Sequence, residues 1–192
     1  DFWSGPLHPS VEAYGFTKKV QQVGGRAYSS QFGLIGQYPQ FTNQYGEHDV
    51  FTEYRSHAPA ALIKRYADAA LSGAKEVVNW GTGKPVREFI YTSDSAEAVV
   101  RLMETDYQDT LNIGTGRGTS IRELAEIIGK YTGFKGDIRW DSEKPDGVAR
   151  KVLDISQMIK VLNWEPPTTV EEGFRKTIEW YMANKEEADA RQ

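Results

Sequence analysis

Tyr14 and Lys18 stand four residues apart in the run Tyr14-Gly15-Phe16-Thr17-Lys18, and His57 follows Tyr14 by 43 residues. On a helix, positions i and i+4 share a face. A cation beside a phenol favours the phenolate, which lets a tyrosine exchange protons nearer neutrality than its ordinary pKa of about 10 permits. An imidazole, ordinarily near 6.5, exchanges protons at neutral pH without such help. These three side chains are therefore candidates for acid–base work. Spacing does not choose among the tyrosines, because Tyr131 with Lys135 and Tyr181 with Lys185 repeat the pattern. An ordinary helical Tyr beside a solvated Lys fits all three, and His57 reads equally well as a helix-entry side chain packed near Pro59.

A second group is cationic, aromatic or amide-bearing. Arg65, Arg87 and Lys151 either converge on an anion or are scattered surface charges. Trp80 ends the run Val77-Val78-Asn79-Trp80, where it lines a pocket or fills a core. Asn43 either supports an Asx turn or offers its amide to a ligand.

Composition narrows the ligands. The chain has 192 residues, with 23 Lys+Arg against 27 Asp+Glu and a net charge of −4. It carries no basic run, so no nucleic-acid partner is expected, and an anionic ligand needs a local cationic pocket. No apolar stretch approaches the roughly 18–20 residues of a membrane span, and Asp1-Phe2-Trp3-Ser4-Gly5-Pro6 is not a signal peptide. No membrane partner and a cytoplasmic location are expected. With no cysteine, disulfides, thiolate metal sites and Cys nucleophiles are excluded together. His8, His48 and His57 lack metal-ligand spacing, no H-E-x-x-H or G-x-S-x-G occurs, and no metal is assigned. Gly114-Thr115-Gly116-Arg117-Gly118 lacks the G-x-G-x-x-G spacing and the acidic residue about 20 positions on, so it reads as a structural turn rather than a dinucleotide loop.

The elements that must position these residues follow from periodicity. Val11 to about Phe32 reads as a helix, made irregular at Gly24-Gly25 because each glycine costs about 1 kcal/mol in a helix interior. Leu34 to Phe41 reads as a poor strand, since Pro39 lacks a donor. A helix begins near Pro59, buries Leu62, Ile63, Tyr66, Ala69 and Ala70, and closes at Gly73. Strands at Val77–Trp80 and Glu88–Tyr91 flank the turn Gly81-Thr82-Gly83-Lys84-Pro85. A helix over 93–104 and a strand over 110–113 come next. Ser120 with Glu123, and Thr169 with Glu172, form capping boxes for two further helices, and the charged tail beyond Asn184 is expected to fray. Alternating strands and helices favour an α/β class.

Taken in order, Tyr14…Lys18, Thr42-Asn43-Gln44-Tyr45-Gly46, Ser56-His57-Ala58-Pro59, Val78-Asn79-Trp80-Gly81-Thr82-Gly83-Lys84-Pro85-Val86-Arg87-Glu88-Phe89, Leu111-Asn112-Ile113-Gly114-Thr115-Gly116 and Lys144-Pro145-Asp146-Gly147…Lys151 closely resemble the C-terminal two-thirds of the extended short-chain dehydrogenases/reductases of the NAD-dependent epimerase/dehydratase family. The resemblance spans about residues 10 to 183 and is nearest to members that epimerise and reduce a GDP-4-keto-6-deoxy sugar. It implies an α/β Rossmann-type fold with a mixed α/β substrate lobe. Residues 1–45 would be the tail of the Rossmann lobe and 46–192 mainly the substrate lobe, with 86–104 returning to the Rossmann side. It implies NADP or NAD as cofactor and a nucleotide-diphosphate sugar as substrate. Tyr14 would protonate the sugar C4 oxygen, Lys18 would hold the nicotinamide ribose, and His57 would be the acid of the epimerisation. Asn43, Arg65, Trp80, Arg87 and Lys151 would contact the substrate. It also implies a front part, roughly 120 residues of βαβ units, that would precede Asp1 and hold the pyrophosphate. Three readings stay open: a fragment of such an enzyme inactive alone, a nucleotide-sugar binding module without chemistry, and a structural remnant that forms homodimers or otherwise self-associates.

Overall fold

The structure is a computed structural model that describes residues 3–7, 9–52 and 56–191; His8 lies outside the described residues. Helix α1, Glu12–Phe32, is continuous, which corrects the expected irregularity at Gly24-Gly25. The reason is close approach rather than flexibility, because a Cβ on Gly25 would stand 2.6 Å from the Tyr38 hydroxyl oxygen. The helix stops at Gly33, whose φ of 69° is the left-handed cap that glycine accepts without strain.

The strand expected over 34–41 shortens to β1, Tyr38–Phe41. Before it, the Gln37 amide turns to the end of helix α3 (Thr92–Met103), donating to the Leu102 and Thr105 carbonyls at 2.6 and 3.0 Å. Pro39 is tolerated because β1 pairs, among the described residues, only with β6, Thr110–Ile113, in parallel register. After one residue the chain changes partner: β2, Asn43–Tyr45, runs parallel to β5, Phe89–Tyr91.

Helix α2, Ala58–Ser72, starts at the predicted Pro59 and ends at Gly73, burying Ile63 and Tyr66. Strand β3, Glu76–Trp80, pairs in parallel with β8, Asp137–Asp141. Strand β4, Val86–Arg87, lies between β7, Thr119–Ser120, which is antiparallel to it, and β9, Arg150–Lys151, which is parallel. Ser120 and Glu123 form the full reciprocal box that opens α4, Ile121–Thr132. After α5, Ser156–Leu162, helix α6, Val170–Ala183, has half a box: Thr169 accepts from the Glu172 N–H, while the Glu172 carboxylate turns to Lys176 at 3.0 Å.

The tail does not fray, which corrects another expectation. Residues Lys185–Ala190 form α7, with Ala188 buried and Asp189 bonded to the Tyr181 hydroxyl at 2.8 Å. The apolar side chains gather into two cores. One lies under α2, α4 and α6 around Tyr66, Ile128 and Phe174; the other joins α3, β6 and α5 around Leu102, Leu111 and Met158. No described helix is long and apolar enough to cross a membrane.

Candidate functional site

The turn after β3 is built by glycines. Gly81 and Gly83 have φ of 78° and 75°, where a side chain would be strained. A Cβ on Gly83 would also stand 2.8 Å from the Trp140 ring. Arg122 fixes the turn from α4, with its guanidinium 4.9 Å over Trp140 and Nη2 donating to the Thr82 carbonyl at 2.8 Å.

A second loop crosses in front of it. The Asp146 carboxylate accepts from the Thr82 hydroxyl at 2.6 Å and from the Thr82 N–H at 2.9 Å; these bonds, the hydroxyl first, hold its carboxyl below the usual range. Lys144 lies with Nζ 5.8 Å from the centre of the Trp80 ring, which is 75% exposed. Arg87 supports the same loop from beneath, donating through Nη1 to the Val148 carbonyl at 2.5 Å. Gly147 leaves room for the guanidinium, because a Cβ there would stand 3.0 Å from Nη2.

Between turn and loop opens a cleft of about 120 Å³ lined by Trp80, Gly83, Pro85, Arg87, Pro145 and Asp146 among others. Pockets that enclose a whole small ligand run to roughly 300–1,000 Å³, so in this conformation the cleft holds part of one. Lys151 is the register partner of Arg87, about 4.8 Å away across the ladder, and Arg150 is the partner of Val86. None of these three cations forms an ion pair among the described residues, and like charges at partnered positions of a ladder disfavour each other. An anion would relieve that repulsion. Asn43 joins the same region through its Nδ2, which donates to the Glu88 carbonyl at 2.8 Å. A larger hollow of about 410 Å³ lies at the C-terminal ends of α2 and α4, lined by Gly73, Lys75, Phe134 and Lys135, and contains none of the residues to which the resemblance gives a role.

The remaining candidates stand apart from the cleft. His57 is the N-cap residue of α2, exposed; its ring makes no capping bond, and its carbonyl accepts from the Ala61 N–H at 3.0 Å. Arg65 is exposed eight residues further along the same helix, roughly 12 Å by helical rise. Tyr14 is 66% exposed on α1, with Lys18 Nζ 5.2 Å from its ring centre. No hydrogen bond or ring contact links Tyr14 to His57 or to the cleft among the described residues. The structure thus brings Asn43, Trp80, Arg87 and Lys151 into one region and leaves Tyr14, Lys18, His57 and Arg65 on two helices.

Sequence reasoning missed Asp146 as a cleft residue and Thr82 and Lys144 as the neighbours that hold its loop and cover Trp80. Asp146 lies 64 positions from Thr82, so no local pattern joins them. The usable signal was Gly81, whose missing side chain makes space for the Asp146 carboxylate.

This arrangement of parallel β-strands, covering helices and a loop-built cleft belongs to a known class. The chain is a member of the NAD dependent epimerase/dehydratase family, whose model matches residues 1–114, and its fold is that of the extended short-chain dehydrogenases. It is 42% identical over 183 residues to the probable GDP-L-fucose synthase 1 of Oryza sativa subsp. japonica, covering 94% of this chain and 55% of that protein. With the GDP-L-fucose synthase of Escherichia coli (strain K12) it shares 35% identity over 192 residues, covering 95% of this chain and 60% of the relative. The crystal structure of a GDP-L-fucose synthetase from Naegleria fowleri bound to NADP superposes with a TM-score of 0.85 at 26% identity, over 95% of this chain and 59% of that one. The chain therefore spans little more than half the length of the relatives it matches.

Tyr14 and Lys18 provide a hydroxyl and an ammonium, a donor set suited to the hydroxyls of a nicotinamide ribose. Neither forms an ion pair among the described residues. The pyrophosphate of a dinucleotide is another matter, since no G-x-G-x-x-G loop occurs in this sequence.

Proposed function

We propose that this chain forms the substrate-binding and acid–base portion of an NADP- or NAD-dependent epimerase-reductase acting on a GDP-4-keto-6-deoxy sugar, such as GDP-4-keto-6-deoxymannose, and corresponds to the C-terminal part of the relatives. The observation that carries this reading is that Arg87 lines one cleft with the exposed Trp80 ring, with Lys151 as its ladder partner and no ion pair to either cation among the described residues. A diphosphate neutralises the pair, and a purine or sugar ring packs on Trp80. Asn43 lies on the floor beneath the sugar, and Arg65 reaches the substrate from α2.

A bound dinucleotide supplies the hydride for reduction at C4. Tyr14 gives its phenolic proton to the sugar C4 oxygen, and Lys18 holds the nicotinamide ribose and favours the phenolate that results. His57 returns a proton to the carbon face of the enolate formed in epimerisation. Residues 1–45 belong to the dinucleotide lobe and 46–192 mainly to the substrate lobe, with 86–104 returning to the first. The apolar side of α1, where Phe16, Val20 and Val23 are exposed, serves a homodimer or other self-association. Alone, the chain binds substrate without oxidoreductase turnover.

Calorimetry of the 192-residue chain with GDP, in the presence and absence of NADP, tests the reading. Binding of GDP without NADP, weakened at least tenfold by Arg87→Ala, is expected. Failure to bind GDP would contradict it. Turnover of NADPH with a 4-keto sugar nucleotide by the isolated chain would overturn the claim that it is inactive alone.

A further inference from the structure

Glu88 follows Arg87 in the chain and is fully buried, at 0% exposure. A buried carboxylate is normally paired with a cation. Here its close partners are main-chain N–H groups, with the Thr115 hydroxyl more distant at 3.4 Å from Oε1. Oε1 accepts from Thr115 at 2.5 Å and from Gly116 at 2.9 Å, and Oε2 accepts from Leu153 at 2.6 Å. Gly114 has no side chain because a Cβ there would collide with Oε1, so the Gly114-Thr115-Gly116 turn is shaped around this carboxylate. The Glu88 carbonyl accepts in turn from the Thr42 hydroxyl at 3.1 Å and from the Asn43 amide at 2.8 Å.

These bonds tie down the flanks of both neighbours of β4. Thr115 and Gly116 lead into β7, and Leu153 lies two residues beyond Lys151 in β9. Strands β4, β7 and β9 each have two residues, too few for ladder hydrogen bonds to hold a register unaided. Arg87 and Lys151 are also register partners in that ladder, a placement of like charges that works against pairing. The Glu88 carboxylate opposes both, since it holds β9 through Leu153 while its own backbone carries Arg87.

We propose that Glu88 is a positioning residue: its buried carboxylate locks the Arg87–Lys151 spacing and thereby makes the cleft select a diphosphate over a monophosphate. The inference rests on the nucleotide-sugar reading above. Glutamine has the same shape but puts an N–H where an acceptor is required, so Glu88→Gln releases at least one of the three main-chain bonds.

The test compares GDP with GMP by calorimetry on the full chain, for the unaltered protein, for Glu88→Gln and for Thr169→Ala. The last removes the cap of α6, which takes no part in the clasp's hydrogen bonds, and controls for lost stability. Preference for GDP over GMP is expected to be at least tenfold in the unaltered chain, to collapse to about twofold in Glu88→Gln, and to persist in Thr169→Ala although that variant melts earlier. Should Glu88→Gln fail to fold, Gly114→Ala, which crowds Oε1 and leaves the carboxylate in place, is expected to reduce the same ratio. A GDP preference that survives in the folded variant overturns the proposal alone. No binding of either nucleotide by the unaltered chain overturns the nucleotide-sugar reading and the proposal together.

Discussion

Tyr14–Lys18 and Tyr181–Lys185 share one spacing and have opposite surroundings. Tyr181 is fully buried, and its hydroxyl donates to Asp189. Lys185 reaches Asp189 at 2.5 Å and Asp68 at 2.7 Å, and Lys64 reaches Asp189 at 3.0 Å. Burial first, then the bond to Asp189, pushes the Tyr181 phenol far above its ordinary range. That is the reverse of what an acid–base tyrosine needs. Tyr131 is taken up too, bonded through its hydroxyl to Glu171 at 2.9 Å. Tyr14 is exposed, with Lys18 over its ring and no carboxylate bonded to its hydroxyl among the described residues. Spacing in the sequence is shared by all three pairs; a neighbouring carboxylate takes up the Tyr131 and Tyr181 hydroxyls, and none is bonded to that of Tyr14 among the described residues.

The largest way to break this contrast lies in the core beneath Tyr181. Phe174 is fully buried, stacked on Tyr45 with centroids 3.9 Å apart and planes within 3°. Phe174→Ala is expected to cost about 3–5 kcal/mol, read by urea denaturation. Asp189→Ala removes the shared acceptor of Tyr181, Lys185 and Lys64. Because these groups are partly exposed, a loss of about 2 kcal/mol is expected rather than the full cost of breaking a buried pair. Tyr14→Phe should change stability by less than about 0.5 kcal/mol, and a loss near that of Asp189→Ala would remove the distinction between the pairs.

Acidity sharpens the comparison further. Burial alone would raise the Asp189 carboxyl, but bonds from Lys185, Lys64 and Tyr181 outweigh it and hold it below the usual range. Its contribution is therefore present above the unfolded value of about 3.9 and is lost as pH falls through the lower folded value. Burial would lower Lys185, but bonds to Asp189 and Asp68 outweigh it and raise the ammonium. That contribution is present below the unfolded value of about 10.4 and is lost as pH rises through the higher folded one. The stability difference between the unaltered chain and Asp189→Ala should be flat from about pH 5 to 9 and shrink at both ends. A difference that persisted undiminished at pH 2 would show that charge is not its source.

Much of this was legible in local pattern. The Ser120–Glu123 box, the strand at 110–113 and the helix bounded by Pro59 and Gly73 appear where short-range chemistry puts them. What was not legible depends on distant partners. Gly24-Gly25 reads as a break because the close approach of Tyr38 lies 13 residues ahead of Gly25. The tail reads as frayed because Asp68, which holds Lys185, lies on another helix. In the site, residue types pointed to Trp80, Arg87 and Lys151. Glu88 and Asp146 escaped notice because an acidic side chain next to Arg87 reads as an ordinary ion-pair partner until its main-chain partners are seen.

The most direct measurement is amide chemical-shift mapping of the 192-residue chain during titration with GDP, without NADP. Shifts are expected to concentrate at Trp80 to Arg87 and at Lys144 to Lys151, with α1 around Tyr14 unmoved. Shifts confined to α1, or none at saturating GDP, would contradict it.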